Sequence, residues 1–178
     1  MKEKTISSKT VYSGRIIDVK FDEVEISTGK RSWREVVEHS GGVTMCAVNN
    51  GKILFVKQYR YPLKQDLLEL PAGKLEKGEN PDEACRRELE EETGYKAASW
   101  KFLGNIHTSA GFCNEKLYLY LAQDLEFVGK HPDEGEIIEN YEYSTDEVKS
   151  MIKNGEITDA KTICAFDKAL YFLKEEND

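Results

Sequence analysis

The stretch that most constrains the fold is residues 80–94, NPDEACRRELEEETG, because it marks both ends of one helix. Asn80 is a good N-cap, and Pro81 fits the first helical position. Gly94 fits the position just past the end of a helix, where a left-handed backbone is common. The sequence therefore predicts a helix from about 81 to 93.

This helix carries three glutamates, Glu88, Glu91 and Glu92, although like charges one turn apart repel. At about 100° per residue, Glu88 and Glu92 fall on the same side as Ala84 and Cys85, which a core would bury. We therefore expect both carboxylates to face a cleft, where Mg²⁺ or Mn²⁺ would offset their charge. A solvated helix with surface ion pairs is the alternative, and the helix alone leaves both open.

The rest of the chain predicts paired strands followed by two helices. Asn49, Asn50 and Gly51 tolerate positive φ and suit a tight turn between two buried strands. The predicted helices cover 145–152 and 159–174, and the predicted strands cover 11–26, 31–39, 43–48, 52–59, 100–109 and 115–125. This order predicts mixed α/β layers in which helices flank a sheet.

Composition excludes several classes of function. The chain has 25 basic and 33 acidic side chains and a net charge of −8, which argues against binding a nucleic-acid polymer. No apolar run approaches the roughly 18 residues of a membrane span, and no signal peptide is recognisable, so we expect a cytoplasmic protein without a membrane partner. The four cysteines form no CxxC pair, so any metal is expected to be bound by oxygen.

Residues 73–95, GKLEKGENPDEACRRELEEETGY, resemble the Nudix box, whose pattern is G-x5-E-x7-R-E-U-x-E-E-x-G-U with U a bulky apolar residue. Every fixed position matches, and the aromatic Tyr95 stands at the last U position. The matching residues are Gly73, Glu79, Arg87, Glu88, Leu89, Glu91, Glu92, Gly94 and Tyr95. So long a pattern is a specific signal.

The resemblance to Nudix hydrolases implies an α/β/α sandwich with a mixed sheet, preceded here by an N-terminal antiparallel strand region. It also implies metal-dependent attack of water on a nucleoside diphosphate linked to another group. Carried over by box position, Glu88 and Glu92 bind the metal and Arg87 orients a carboxylate. Glu91 is a metal ligand or the base, and the backbone carbonyl of Ala72 is a further ligand.

Strings outside the box resemble the ADP-ribose pyrophosphatase branch of the family. They are SGRIIDV, REVVEH, VKQYRYPL, LELPAGKLEKGE, SAGFCNEKLYLYLA and DEGEIIE. This branch implies Mg²⁺-dependent cleavage of ADP-ribose to AMP and ribose 5-phosphate. It also implies a base from the acidic loop HPDEGEIIE, with Glu134 as the base and Glu136 as an added metal ligand. A plain charged surface loop is the alternative for this segment.

The same resemblance implies substrate contacts. Trp33 would stack on a purine, although an edge-of-core or dimer-interface position is the alternative. Arg34 and Arg60 match basic positions near the diphosphate or the terminal ribose, with plain surface arginines as the alternative. Gly111 and Phe112 match a substrate-binding loop.

Ala110 departs from the branch, because members that act on ADP-ribose usually carry proline there. GDP-mannose or another nucleoside diphosphate sugar is therefore the competing substrate. A non-catalytic sensor of an NAD-derived ligand is a further alternative, but a sensor would be expected to lose a metal-binding glutamate, and this chain keeps Glu88 and Glu92.

The resemblance also implies a division of the chain. Residues 1–42 are expected to form an N-terminal strand region for dimerisation and substrate binding, and residues 43–178 to form the Nudix hydrolase domain. In this branch such strands commonly build a homodimer, often with strand exchange, so a homodimer is expected here.

Overall fold

A computed structural model describes residues 2–130 and 137–173, so the predicted site residues Glu134 and Glu136 lie outside the described part of the chain. The described residues form ten strands and three helices: β1 (Lys4–Ser13), β2 (Ile17–Glu25), β3 (Arg31–His39), β4 (Gly42–Asn49), β5 (Lys52–Arg60), β6 (Gln65–Glu69), β7 (Ala72–Lys74), α1 (Pro81–Thr93), β8 (Tyr95–His107), β9 (Lys116–Phe127), β10 (Glu139–Ser144), α2 (Thr145–Asn154) and α3 (Ala160–Leu173). They divide into two compact units.

The first unit contains the chain up to Gly41 and the segment His107–Lys116. Its strands form an antiparallel sheet in the order β1-β2-β3. The segment between β8 and β9 attaches to β3 through the backbone. Val37 N–H donates to the Phe112 carbonyl at 2.7 Å, and Asn114 N–H donates to the Val37 carbonyl at 3.1 Å.

The second unit contains Gly42–Ile106 and the chain after Lys116. Its strands form a seven-stranded sheet in the order β10-β5-β4-β9-β8, with β6 on β5 and β7 on β4. Strand β4 is parallel to β9 and antiparallel to β5 and β7, so the predicted mixed sheet is confirmed. The turn between β4 and β5 uses Asn50 at φ 49° and Gly51 at φ 76°, as the sequence predicted.

Helices cover both faces of this sheet because neighbouring residues of the buried strands point to opposite sides. Met45 and Leu54 pack in a cluster with α1, whereas Cys46 and Phe55 pack in a cluster with α2 and α3. All four side chains are buried. The predicted α/β/α layering is therefore confirmed. No helix in the described ranges is long and apolar enough to cross a membrane.

Helix α1 has the predicted bounds because its caps form as the sequence indicated. The side chain of Asn80 accepts a hydrogen bond from Asp82 N–H at 2.9 Å, and Gly94 N–H donates to the Glu90 carbonyl at 2.8 Å. Gly94 adopts φ 79°, and a Cβ there would lie 2.8 Å from an aromatic carbon of Phe127. Glycine is therefore required both by the left-handed backbone conformation and by the close packing of Phe127.

Alanine substitutions at Gly94 and Gly155 separate these two requirements. Gly155 ends α2 at φ 78°, and apart from its chain neighbours no atom of the described residues lies within 4 Å of the Cβ it would gain. We expect Gly155→Ala to lower the free energy of unfolding by about 1 kcal/mol. Gly94→Ala should cost about 1–3 kcal/mol more, because it adds the clash with Phe127. Urea denaturation of both variants measures the difference, and equal losses would contradict this account.

Candidate active site

Helix α1 lies against strand β7, and their contact depends on Gly73. A Cβ at this position would lie 1.8 Å from the carboxyl carbon of Glu88, so the carboxyl group occupies the space that a side chain would need. Gly42 on β4 repeats the arrangement, since its Cβ would lie 2.6 Å from the Gly73 carbonyl oxygen. Glycine at the first box position therefore allows the Glu88 carboxyl group to lie directly on the strand.

Glu92 is fixed by the same strand. Its residue surface is 4% exposed, and its Oε2 accepts a hydrogen bond from Ala72 N–H at 2.9 Å. The preceding residue is also held, because Met45 N–H donates to the Pro71 carbonyl at 2.9 Å. The side chain of Glu88 is 14% exposed. Both glutamates therefore face inward, as their positions on the helix predicted.

Arg87 bonds to three carboxylates. Its Nε donates to Glu79 at 3.0 Å, its Nη1 to Glu91 at 2.7 Å, and its Nη2 lies 2.9 Å from Glu88. These carboxylates, with the hydrogen bond to Glu79 first among them, raise the pKa of Arg87. In turn, the Arg87 hydrogen bond lowers the pKa of Glu79. Arg87 thus fixes the orientation of Glu88 and Glu91, and Glu79 fixes Arg87.

The donor set of this site suits a hard divalent cation. Within the described ranges, no three His, Cys, Asp or Glu side chains are grouped as a metal site. Glu88 and Glu92 form a pair of carboxylates that both lie against β7, in contact with Gly73 and Ala72. Mg²⁺ typically takes one or two protein carboxylates and keeps several waters, so oxygen donors of this number fit it. The predicted ligand Glu136 falls in the part of the chain that is not described.

Cysteine chemistry does not compete at this helix. Cys85 is buried on the inner side of α1, and burial raises the pKa of its thiol to about 12. A thiol with that pKa stays protonated near neutral pH and is a poor nucleophile. Cys113 lies in the segment attached to β3, where its Sγ accepts a bond from Glu115 N–H at 3.4 Å. The charged groups of α1 therefore define the chemistry of the site.

Arg60 does not match the alternative of a plain surface arginine. Its Nε and Nη2 donate to the two carboxyl oxygens of Glu69 at 2.7 and 2.6 Å. Lys161 donates to the same carboxylate at 2.5 Å. Sequence reasoning missed Glu69 and Lys161. The available signal was a lone charge in the apolar run LLELPAG, since a buried charge requires a partner.

The other predicted substrate residues belong to the first unit. Trp33 stacks on Phe21 with ring centroids 4.9 Å apart and planes 9° from parallel, and it is 55% exposed. A cavity of about 440 Å³ in the same unit is lined by Val11, Val19, Lys20, Phe21, Glu35, Val37 and Phe112. Trp33 is therefore not a core residue. Phe112 and Phe21, the ring on which Trp33 stacks, line the same cavity.

The contacts of Arg34 and Gly111 do not by themselves indicate a ligand. Arg34 is paired with Glu3, with Nη2 at 2.5 Å and Nε at 3.0 Å from the carboxylate. It also donates to Ser32 Oγ at 3.0 Å. In the part of the chain that the structure describes, no atom beyond the two chain neighbours lies within 4 Å of the Cβ that Gly111 would gain, so crowding there does not explain glycine. The predicted site residues are thus divided between the two units.

Comparisons with known proteins match most of the chain. The NUDIX domain profile matches residues 39–166, and the profile of the nucleoside diphosphate sugar hydrolase N-terminal domain matches residues 3–37. The ADP-ribose pyrophosphatase of Bacillus subtilis (strain 168) is 42% identical over 93% of this chain and 91% of its own length. The methanol dehydrogenase activator of Bacillus methanolicus is 42% identical over 92% of this chain and 90% of its own length.

A more distant relative and a solved structure extend the comparison. The GDP-mannose pyrophosphatase of Yersinia enterocolitica serotype O:8 is 34% identical over 76% of each chain. A crystal structure of an ADP compounds hydrolase matches with a TM-score of 0.88 over 99% of this chain and 96% of that chain. At 22% identity, this structure bears on the fold alone. Because the domain profile spans most of the sequence and the Bacillus relatives align over nearly their full lengths, the chain belongs to the Nudix hydrolase family.

Proposed function

We propose that this enzyme hydrolyses the diphosphate bond of ADP-ribose, with Mg²⁺, to give AMP and ribose 5-phosphate. The observation that carries the proposal is the pair Glu88 and Glu92, which lies against β7 beside the Arg87 guanidinium. Such a group of oxygen donors suits a cation that binds a diphosphate. The relative named ADP-ribose pyrophosphatase supports the choice of substrate.

The proposed metal ligands are the carboxylates of Glu88 and Glu92 and the backbone carbonyl of Ala72, with Glu136 as an added ligand. Mn²⁺ would use the same oxygen donors. When bound, the cation supplies electrostatic stabilisation of the charge on the diphosphate. The protein's own contribution is to hold both carboxylates in place before substrate arrives, through the Ala72 N–H and the Arg87 guanidinium.

The proposed base is Glu134, which would take the proton from the attacking water. Glu91 is the alternative, and the structure gives a reason to weigh it less. Its Oε2 accepts a hydrogen bond from Arg87 Nη1 at 2.7 Å, so this oxygen is already occupied and less free to accept a proton from water. Arg87 itself would act by orienting Glu91 and Glu88, without transferring a proton.

The proposed nucleotide contacts follow from the exposed rings and the held arginine. Trp33 presents a ring on which a purine can stack, and Phe112 lines the nearby cavity of the first unit. Gly111 would allow close approach of the ligand to the loop. Arg60 is proposed to contact the diphosphate or the terminal ribose, and Arg34 would do so after leaving Glu3.

A second candidate substrate is GDP-mannose or another nucleoside diphosphate sugar. Ala110 stands where proline is usual in enzymes that act on ADP-ribose, and one relative is named GDP-mannose pyrophosphatase. The two Bacillus relatives share the same identity with this chain but carry different names, so similarity alone does not select the substrate.

The N-terminal residues 1–42 are proposed to bind substrate and to form a homodimer, while residues 43–178 form the hydrolase domain. Strand β1 is exposed along its whole length, and Ile6, Val11 and Tyr12 are exposed apolar side chains on it. Exposed apolar patches commonly mark protein interfaces. The proposed location is the cytoplasm, where the four free cysteines would stay reduced.

The substrate is tested by measuring products from ADP-ribose, GDP-mannose, UDP-glucose and 8-oxo-dGTP, each with and without Mg²⁺. We expect Mg²⁺-dependent formation of AMP from ADP-ribose to exceed turnover of the others by at least about tenfold, a difference of roughly 1.4 kcal/mol in transition-state binding. Preference for GDP-mannose would support the second candidate. Turnover of none of the four would contradict the proposed function.

The metal ligands are tested by Glu88→Gln and Glu92→Gln, which keep the side-chain shape and remove one charge each. We expect turnover to fall by about 100-fold or more, because weaker cation binding removes several kcal/mol of charge stabilisation. Glu83→Gln is the matched control, since Glu83 is an exposed glutamate on the same helix. Near-normal activity in either variant, with circular dichroism unchanged, would exclude that residue as a ligand.

The base is tested by comparing Glu134→Gln with Glu91→Gln at saturating Mg²⁺. We expect Glu134→Gln to lower kcat by about 100-fold or more with little change in KM, because loss of a general base acts on the chemical step. If Glu134→Gln turns over normally and Glu91→Gln does not, the role belongs to Glu91. Both rates are followed by release of AMP.

A further inference from the structure

Glu69 is a buried carboxylate that the proposed reaction does not use. It lies at the end of β6 with 1% of its surface exposed. Burial alone would raise its pKa, but the bonds from Arg60 and Lys161 outweigh that effect and lower it. The residue is therefore an ionised group inside the protein, and both of its cationic partners are held by it.

Of the two cationic partners of Glu69, Arg60 is the more exposed to solvent. Two of its five N–H donors are used in the fork on Glu69, and within the described ranges the other three have no hydrogen-bond partner. Its side chain is 37% exposed, whereas Glu69 beneath it is closed to solvent. A guanidinium that is held by one carboxylate and still has unused N–H donors has the geometry for binding an anionic oxygen.

Arg60 also lies in the electrostatic field of the metal-site helix. The charge of Glu92 contributes to the raised pKa of Arg60, after the larger effect of the Glu69 hydrogen bond. The two charges therefore attract each other.

Lys161 is placed against the local preference of its helix. It stands in the first turn of α3, where a cation is unfavourable next to the positive end of the helix dipole. Its ammonium group lies 2.5 Å from Glu69 and 2.9 Å from Asp159, and its side chain is 14% exposed. The contact with Glu69 is thus a tertiary bond between α3 and β6, which helix stability does not explain.

The same turn of α3 continues this connection towards the metal site. Thr162 Oγ1 accepts from Leu70 N–H at 2.9 Å and donates to Asp159 at 2.6 Å. Residue 70 is followed by Pro71 and by Ala72, whose N–H binds Glu92. The start of α3 therefore supports the chain segment that links Glu69 to the proposed metal ligands.

We propose that Glu69 and Lys161 are positioning residues that hold the Arg60 guanidinium for contact with the diphosphate of the substrate. Glu69 holds the Arg60 guanidinium through two hydrogen bonds, and Lys161 on α3 holds the Glu69 carboxylate. This inference rests on the proposed function, since it assigns Arg60 to an anionic diphosphate. It adds two residues from β6 and α3 that do not themselves contact the substrate.

The first test needs no turnover. The ¹H–¹⁵N spectrum of arginine Nε–H groups is recorded for the wild type, with the Arg60 signal identified by its loss in Arg60→Gln. We expect this proton to exchange slowly in the wild type and at least about tenfold faster in Glu69→Gln, since the charge-assisted bond is weakened. Lys161→Met should accelerate it by a smaller factor. Equal exchange in wild type and Glu69→Gln would overturn the proposal.

Inorganic pyrophosphate, added to the same samples in EDTA, tests the anion contact. We expect it to shift the Arg60 signal in the wild type and to require at least about tenfold more pyrophosphate in Glu69→Gln. No shift in the wild type at saturating pyrophosphate would overturn the assignment of Arg60 to a diphosphate. These readouts stay decisive if the wild type hydrolyses none of the four nucleotides, a result that would instead contradict the proposed function.

Kinetics with the best substrate of the wild type give the third readout. We expect Glu69→Gln to raise KM by about tenfold while kcat changes less than about threefold, and Lys161→Met to raise KM by a smaller factor. In the Arg60→Gln background, Glu69→Gln should change KM by less than about twofold, because its effect passes through Arg60. An effect of full size in that background would overturn the proposal in favour of a general structural role.

Lys149→Met is the matched control for Lys161→Met. Lys149 also pairs with an aspartate, at 2.9 Å from Asp146, but on the exposed surface of α2. We expect its KM and its Arg60 signal to equal those of the wild type. If Glu69→Gln fails to fold, Lys161→Met decides the question alone, and wild-type values of KM and exchange in that variant would overturn the proposal.

Discussion

The structure depends on the absence of a side chain at residue 73. The carboxyl group of Glu88 occupies the space of a Cβ there, and Gly42 makes the same room for the backbone of residue 73. Strands β4 and β7 therefore approach at backbone distance, and α1 contacts β7 through the carboxyl group of Glu88. This close approach places Glu88 and Glu92 on a strand whose peptide groups can bond to them, so the acidic helix is fixed relative to the sheet.

The acidic helix tolerates the charges of Glu88, Glu91 and Glu92 because each carboxylate has a bonded partner. Glu92 takes a backbone N–H, while Glu79, Glu88 and Glu91 share the Arg87 guanidinium. Burial of carboxylates costs free energy unless their oxygens are bonded, and these bonds offset part of that cost. Their repulsion is not fully cancelled, since Arg87 carries one positive charge. A divalent cation would offset what remains, which makes the acidic cluster suited to binding one.

Sequence reasoning succeeded where the signal was local. The bounds of α1 followed from its capping residues, and α3 followed from apolar residues at helical spacing. It did not give β7, because three residues carry no periodicity and their pairing with β4 is a long-range contact. The attachment of the 107–116 segment to β3 was equally hidden, since backbone groups of Val37 and Phe112 make it. Such contacts use backbone groups that every residue carries, so the order of side chains does not predict them.

The five residues from Glu69 to Gly73 each contact a different partner. Glu69 binds Arg60 and Lys161, and the next four contact, in order, Thr162, Met45, Glu92 and Glu88. A segment held at every position has little freedom to shift, since each residue is fixed by its own contact. Residues in such a network have coupled energies, so effects of single substitutions here will not add. The proposed metal ligands and the Arg60 fork are therefore connected through one held segment, although they lie on different helices and strands.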